Sequence, residues 1–403
     1  MIQPLRGMKD LTFDDSQRFV HIVNTAVEIA SRYGYGYIET PILEETALFK
    51  RSVGDSSDIV SKEMYQFEDK GGNDVCMRPE GTAGVVRAFV HAKLDRQPSK
   101  QKFYYYGPMF RYERPQKGRL REFHQFGCES FGEASVAEDF TIITMISQIF
   151  EALGIGFDLQ INSLGCTACM PPYKQKLVTF LTSDKEALCE DCNRRIDSNP
   201  IRVLDCKNKT CQSLLVNAPK LIPCLCEECA SDFTQLTALL DKAKIPYHID
   251  THLVRGLDYY NKTAFEFVSN HIGAQSAIAG GGRYDTLVEF LDGKSTPAVG
   301  FALGIERIME LVVMPESERK GIYLGAMDSD ALDSLFAIAT QKRKSTKVTH
   351  EYSKKSFKSH LKGAEKSQAK YLVLRGEDEL ANGTIWIKNL ETREEKTVLV
   401  GEF

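Results

Sequence analysis

Apolar residues recur at helical spacing over residues 15–32, where Phe19, Ile22, Val23, Ala26, Val27 and Ala30 share one face. Gly34 and Gly36 close that helix. Tyr37-Ile38-Glu39-Thr40-Pro41 then reads as an extended strand, with Pro41 biasing Thr40 away from helix. Further strands are expected at 63–68, 75–78, 103–113 and 122–132, followed by a long apolar helix at 136–153 and a strand at 157–163. A mainly helical stretch runs to about 244. Beyond it, 248–253, 264–268 and 276–280 resume as strands of the sheet it interrupted, and a strand at 298–303 leads into a helix at 304–313. The polar, proline-containing MPESERKG (314–321) marks a domain boundary. After it come a strand at 322–327, helices at 331–343 and 354–366, and strands at 371–375, 384–389 and 397–400, the pattern of a small α/β domain.

Composition narrows the class. The 403 residues allow two or three domains, and 42% hydrophobic with 26% charged residues excludes a disordered or fibrous chain. No run approaches the roughly 20 apolar residues that cross a bilayer. The opening MIQPLRGMKD lacks a charged-then-apolar leader pattern, so the cytosol is the expected compartment. A net charge of −4 excludes a uniformly basic nucleic-acid coat, but local cationic surface decides contact with phosphates. Arg111 to Arg121 and residues 342–370 are locally rich in cations, although a solvated face explains either one alone.

The segment FYYYGPMFRYERPQKGRLREFHQFGCE, Phe103 to Glu129, carries the most chemistry. Two strands flank a polar, cationic turn, which predicts an antiparallel hairpin with a long loop. Period-two alternation puts Arg111 and Glu113 on one face of the first strand, and Phe123, Gln125, Gly127 and Glu129 on one face of the second. An aromatic ring, an amide, a gap and a carboxylate in one row make a poor apolar core and a good ligand floor. The adjoining Arg and Lys residues can hold phosphates.

This segment resembles motif 2 of class II aminoacyl-tRNA synthetases, in the form found in histidyl-tRNA synthetases. AVGFALGIERI (298–308) resembles motif 3, and Tyr37 to Pro41 resembles the motif 1 that builds a dimer interface. LVRGLDYY (253–260) and GGGRYD (280–285) resemble the two peptides that distinguish the histidine enzymes. The resemblance implies histidine, ATP with Mg2+, and tRNA(His) as partners, and a homodimer. It implies Arg111 and Arg255 as the catalytic pair on the α-phosphate, with Glu113, Arg119, Phe123 and Arg307 also at ATP. Phe123 and Arg307 would sandwich the adenine, and Arg307 would reach the γ-phosphate. Glu80, Thr82 and Gln125 are matched to the histidine ammonium group and Glu129 with Tyr260 to the imidazole, while Tyr259 and Gly282 line the same pocket. Arg114 and Gln116 are matched to the acceptor end of the tRNA. YLVLRGEDELANGTIWIKNL belongs to a tail resembling the family's anticodon-binding domain.

Nine of the eleven cysteines fall between Cys166 and Cys229. In a reducing compartment they are thiols or metal ligands rather than disulfides. The pairs Cys166/Cys169, Cys189/Cys192, Cys206/Cys211 and Cys226/Cys229 have spacings that suit one or two structural zinc ions staking an insert with little apolar core. Free thiols on helices are the alternative.

The expected architecture is mixed α/β (α+β). An antiparallel six-stranded sheet with flanking helices forms a catalytic domain over 1–318, interrupted by a helical Cys-rich insert at 166–244, and an α/β anticodon-binding domain occupies 319–403. Two rivals are separable by residue. The regulatory subunit of ATP phosphoribosyltransferase, a non-aminoacylating paralogue, predicts loss of the arginine in LVRG and no anticodon domain. A zinc-stapled RNA-binding protein leaves Phe123, Arg307, Glu129 and Tyr260 unexplained.

Overall fold

The computed structural model describes residues 1–54, 57–206, 208–272, 277–315 and 318–403, in two compact units, Met1–Val313 and Met314–Phe403. The expected strand residue Ser276, part of the 314–321 boundary, and Lys207 between two cysteines lie outside the described residues.

One sheet organises the first unit. Its strands in chain order are β1 (Gly36–Tyr37), β2 (Gln101–Phe110), β3 (Glu122–Phe131), β4 (Asp158–Ser163), β5 (His248–Ile249), β6 (Asn261–Val268), β7 (Ala277–Arg283) and β8 (Ala298–Gly304). They lie in the order β1-β2-β3-β8-β7-β6-β4-β5. The six strands from β2 to β4 in that order are antiparallel throughout. Two-residue strands β1 and β5 add parallel edges and bring the sheet to eight. The edges are short because pairing stops early: Pro41 follows β1 closely, and the chain after Ile249 leaves the sheet as a loop.

Alternation divides the two faces. Phe126 and Cys128 of β3, Phe265 and Phe267 of β6, and Phe301 and Leu303 of β8 point into a core covered by three helices, Phe13–Arg32, Val136–Ala152 and Glu227–Ala243. The first of these starts after an extended Thr12, carries Asp14 and Asp15 in its first turn and Arg32 in its last, and so complements the helix dipole at both ends. Ile22, Ala26 and Ile29 on its inner face are buried, worth about 1.5–3 kcal/mol for each large side chain. The opposite face of the sheet meets helix Thr82–His91 over Tyr105, Met109 and Phe131, and elsewhere opens into a cavity.

Several expected elements are shorter or differ. The strand drawn through Arg111 and Glu113 stops at Phe110, so those two residues leave the sheet at the start of the hairpin loop. The start of the expected 63–68 strand belongs to a helical turn, Ile59–Glu63, and only Gln66–Glu68 pairs, in a separate three-stranded antiparallel sheet with Leu43–Glu45 and Asp74–Met77. The helix after β8 spans only Ile305–Met309. The insert is helical and has its own apolar core of Tyr173, Leu177, Leu181, Ile196, Val203 and Leu215, more than its composition suggested.

The second unit carries a five-stranded sheet, β9 (Ile322–Ala326), β10 (Val348–His350), β11 (Tyr371–Arg375), β12 (Thr384–Asn389) and β13 (Glu395–Leu399), in the order β10-β9-β11-β12-β13. β10 was not foreseen. Helix Leu332–Lys342 packs Leu335 and Ile338 against one cluster of sheet residues, and helix Phe357–Lys366 packs Ala364 against another.

Candidate active site

The cavity of about 570 Å³ is floored by one position from each of five neighbouring strands: Gln125, Ala302, Gly280, Glu266 and Gln160. All five face away from the three-helix core, as period two requires. Two glycines on this face of the sheet leave room for larger neighbours. A Cβ on Gly127 would lie 2.5 Å from Tyr105 Cζ, and one on Gly280 would lie 2.5 Å from the Arg255 guanidinium. Gly127 is crowded by the Tyr105 ring and by the Phe301 carbonyl and takes no side chain, whereas at Gly280 a side chain would displace the guanidinium. The expected pocket glycine, Gly282, is not in the wall, and Gly280, two residues earlier in the same triplet, is.

Four guanidinium groups line this one cavity: Arg111, Arg119, Arg255 and Arg307. Arg111 donates from Nε to the Pro79 carbonyl at 2.8 Å, and its Cζ lies 5.2 Å from the centre of the Phe123 ring. Arg307 is tied at 3.0 Å to Gly118 O and at 2.7 Å to Ala277 O, two backbone acceptors that fix its plane. Burial and then the charges of Arg119 and Arg111 pull the Arg307 pKa below its ordinary value. Burial is the larger cause, and the neighbouring cations add to it. Arg119 pairs with Glu113 at 2.9 Å and Arg255 with Glu266 at 2.6 Å. Burial works to lower the Arg255 pKa, and Glu266, Tyr260 and Tyr259 more than offset it.

The same cavity has polar walls. Glu80 is fully enclosed and accepts from the backbone N–H of Thr82 at 2.7 Å and of Ala83 at 2.9 Å, at the start of helix Thr82–His91. Burial raises its pKa, against the pull of those N–H groups and Arg111. The buried Oε1 of Gln125 has no hydrogen-bond partner among the described residues. An acceptor of this kind, beside a carboxylate, suits a ligand ammonium group. Tyr259 and Tyr260 complete the wall with ring centroids 4.7 Å apart, and Arg255 Cζ lies 5.6 Å from the Tyr260 ring.

Glu129 sits one layer behind. It is wholly buried and accepts from Thr82 Oγ1 at 2.8 Å, from Tyr105 at 3.2 Å and from Tyr284. Burial pushes its carboxyl up to about 8, opposed by the Tyr284 and Thr82 hydroxyls. Thr82 both bonds Glu129 and lines the cavity, so it links the buried carboxyl to the cavity wall. The Glu129 charge is also felt by Tyr260.

Not every expected residue is gathered here. Arg114 and Gln116 are exposed on the hairpin turn, which is closed by reciprocal backbone bonds of 2.9 and 3.1 Å between Gln116 and Arg119. Others went unforeseen. Glu266 lies between Phe265 and Phe267, a charge at the out-of-phase position of a buried strand, and that signal was readable. Glu306 accepts from the His124 backbone N–H at 2.8 Å and meets His124 Nδ1 at 2.7 Å, linking the strand of the hairpin to the helix that carries Arg307. Leu204, Asp205 and Cys206 of the insert also reach the cavity wall, and no local pattern announced them.

The insert cysteines form two groups, Cys166/Cys169/Cys226/Cys229 and Cys189/Cys192/Cys206/Cys211, each with all sulfurs within 4.8 Å of one another. The first pair joins the last and the two middle pairs join each other. Sulfur–sulfur distances of 3.6 and 3.8 Å in the first group and 3.8 Å in the second match the edges, about 3.8 Å, of a tetrahedron with Zn–S bonds of about 2.3 Å. Backbone N–H groups donate to sulfur from Cys226 to Cys169 at 3.1 Å and from Cys189 to Cys211 at 3.3 Å, which stabilises thiolates. These residues fit a thiophilic tetrahedral ion in both places.

A family model described as histidyl-tRNA synthetase matches residues 7–308, and one described as an anticodon binding domain matches 312–403. The chain is 76% identical to a histidine–tRNA ligase of Sulfurovum sp. (strain NBC37-1) over the full length of both, and 64% identical to that of Sulfurimonas denitrificans over 99% of each. Among solved structures it resembles the apo histidyl-tRNA synthetase of S. aureus, with a TM-score of 0.83 and 33% identity over 100% of this chain and 98% of that one.

Proposed function

Because the chain belongs to the histidyl-tRNA synthetase family, we propose that its cavity joins histidine to ATP and passes the histidyl group to the 3′ end of tRNA(His). The observation that carries this reading is that four guanidinium groups line one cavity together with Glu80 and the unpartnered Gln125 oxygen. The histidine carboxylate is already ionised at neutral pH and attacks the α-phosphate without a general base. The bond from the α-phosphorus to the β-phosphate oxygen breaks, and pyrophosphate leaves with histidyl-adenylate formed. The tRNA 3′-terminal hydroxyl then takes the histidyl group as AMP leaves. The work left to the protein is to hold two anions together and stabilise the charge on the five-coordinate phosphorus. We assign that role to Arg111 and Arg255. Phe123 and Arg307 would hold the adenine between a ring and a guanidinium plane, and Arg119 the outer phosphates. Glu80, Thr82 and Gln125 would bind the ammonium group. Glu129 and Tyr260 would test the two ring nitrogens of the imidazole, so that an amino acid lacking them strands buried polar groups.

Mg2+ enters with ATP, and Glu113, a cavity carboxylate beside Arg119, is the residue we assign to it. Arg114 and Gln116, exposed on the turn, would meet the acceptor end of the tRNA, and residues 319–403 its anticodon. A second copy of the chain would cover the exposed Tyr37, Ile42 and Leu43 at the β1 edge, giving a homodimer. The eight clustered thiols would hold two structural zinc ions, which lock the insert and take no part in the chemistry. Free thiols in this number suit the cytoplasm. No helix among the described residues is long and apolar enough to cross a membrane.

Arg255 and the anticodon-domain match over 312–403 favour this reading over the regulatory paralogue. Aminoacylation with histidine, ATP and tRNA(His) tests it. Charging that depends on all three is the expected result, and nucleotide binding without charging would return the paralogue.

A further inference from the structure

The segment between Cys192 and Cys206 runs from one ligand of the inner cysteine group to another, and it leans on the loop that carries Arg255. Arg202 donates to the Gly256 carbonyl at 2.8 Å and lies 3.6 Å from the Asp258 carboxylate, which also accepts from Asn199 Nδ2 at 2.9 Å. His252 Nε2 meets the Leu215 carbonyl at 3.2 Å, and Val254 packs on the insert core. Residues 252, 254, 256 and 258 are thus each held by the insert, while Arg255 turns to the cavity and pairs with Glu266. The same segment is joined on its other side to the helical turn beside the hairpin, by Arg195 to Asp58 at 2.7 Å.

We propose that the inner centre of Cys189, Cys192, Cys206 and Cys211 is a positioning device for the reaction: its ion holds Arg202 and Asn199 rigid, and they set the loop that aims Arg255. This rests on the zinc reading above and adds that the two centres are unequal. The outer one, Cys166/Cys169/Cys226/Cys229, joins the end of β4 to the long helix Glu227–Ala243 and closes the neck of the insert. Only the inner one has a ligand, Cys206, in the cavity wall. The physical reason for coupling is that catalysis by a guanidinium needs it placed within a fraction of an ångström, and a displacement of about 1 Å costs up to about 100-fold. A loop without secondary structure does not hold that tolerance by itself. Fixing both ends of a 13-residue brace, residues 193–205, supplies it.

Arg202 is a positioning residue, and its test uses the metal-loaded enzyme. Arg202→Ala should keep the wild-type metal content and lower kcat of histidine-dependent pyrophosphate exchange by about tenfold or more. KM for histidine and ATP should move less than about threefold, and Arg202→Lys should restore part of the loss. In the Cys189→Ser/Cys192→Ser variant, one ion fewer per chain should bring a comparable fall in kcat, and adding Arg202→Ala should then cost little more. Should that variant fail to fold, hydrogen exchange of the 253–258 amides in metal-loaded Arg202→Ala reads the same coupling, with faster exchange expected and wild-type exchange overturning it. Two ions per wild-type chain with independent, multiplying effects sinks the coupling alone. A wild-type chain that purifies without metal sinks the zinc reading and this inference together.

Discussion

The Arg255 guanidinium lies 2.6 Å from the Glu266 carboxylate, and through that pairing a residue of an irregular loop is turned onto the floor of the sheet. Gly280 leaves the space it fills, since a Cβ there would collide with the guanidinium. Its buried Nε has no partner among the described residues. The side chain is held at one nitrogen and free at another, the state suited to a phosphate that changes charge during the reaction.

Arg255→His should therefore lower kcat for histidine-dependent pyrophosphate exchange by about 10²–10³, roughly 3–4 kcal/mol of transition-state stabilisation. Turnover close to wild type would remove Arg255 from the chemistry.

Glu129 ionises only near pH 8 in the ligand-free protein, mainly because it is buried. Below that pH the carboxyl carries a proton and accepts poorly from an imidazole N–H, so KM for histidine should fall as pH rises from about 7 through 8. Glu129→Gln should raise that KM far more than the KM for ATP and flatten its pH dependence. Stability moves the other way. The folded pKa lies above the ordinary 4.5, so this group's contribution is complete below about pH 4.5 and is lost as pH rises through about 8. Denaturant titrations at pH 5 and pH 8 should differ less in Glu129→Gln than in wild type, and an equal difference would contradict the assignment.

Phe123→Ala removes one face of the proposed adenine site. Its KM for ATP should rise about 5- to 30-fold, the equivalent of about 1–2 kcal/mol, with KM for histidine nearly unchanged. A matching rise in both constants would point to a collapsed floor instead.

Cys166→Ser should cost one of two zinc ions per chain, measured by elemental analysis of protein purified without added metal. Chelation should lower the melting temperature, because a structural ion's binding energy is part of the folding energy. Full stability in metal-free protein would leave the sulfurs as plain thiols.

Much of this was legible before the fold was seen. Alternation over Glu122–Phe131 put Phe123, Gln125, Gly127 and Glu129 on one face, and they do share the face opposite Phe126 and Cys128. The same rule failed for Arg111 and Glu113, because strand pairing ends at Phe110 and periodicity carries no information beyond the last hydrogen bond. Glu266 was legible by the same alternation rule, as a charge between Phe265 and Phe267 on the face opposite the core. The pairing of first cysteines with last was beyond reach for another reason. Spacing gives the knuckles, and only the path of the helices between them decides which knuckles meet. Leu204 and Asp205 belong to the same kind of knowledge, since they reach the cavity by tertiary packing alone.

The convergence of Arg111 and Arg255 on one phosphorus is tested most directly by a crystal structure with a non-hydrolysable histidyl-adenylate analogue. Both guanidinium groups are predicted within about 3 Å of the oxygens that replace the α-phosphate, with Glu129 and Tyr260 on opposite nitrogens of the imidazole. An analogue bound with either arginine turned away from that centre would contradict the account.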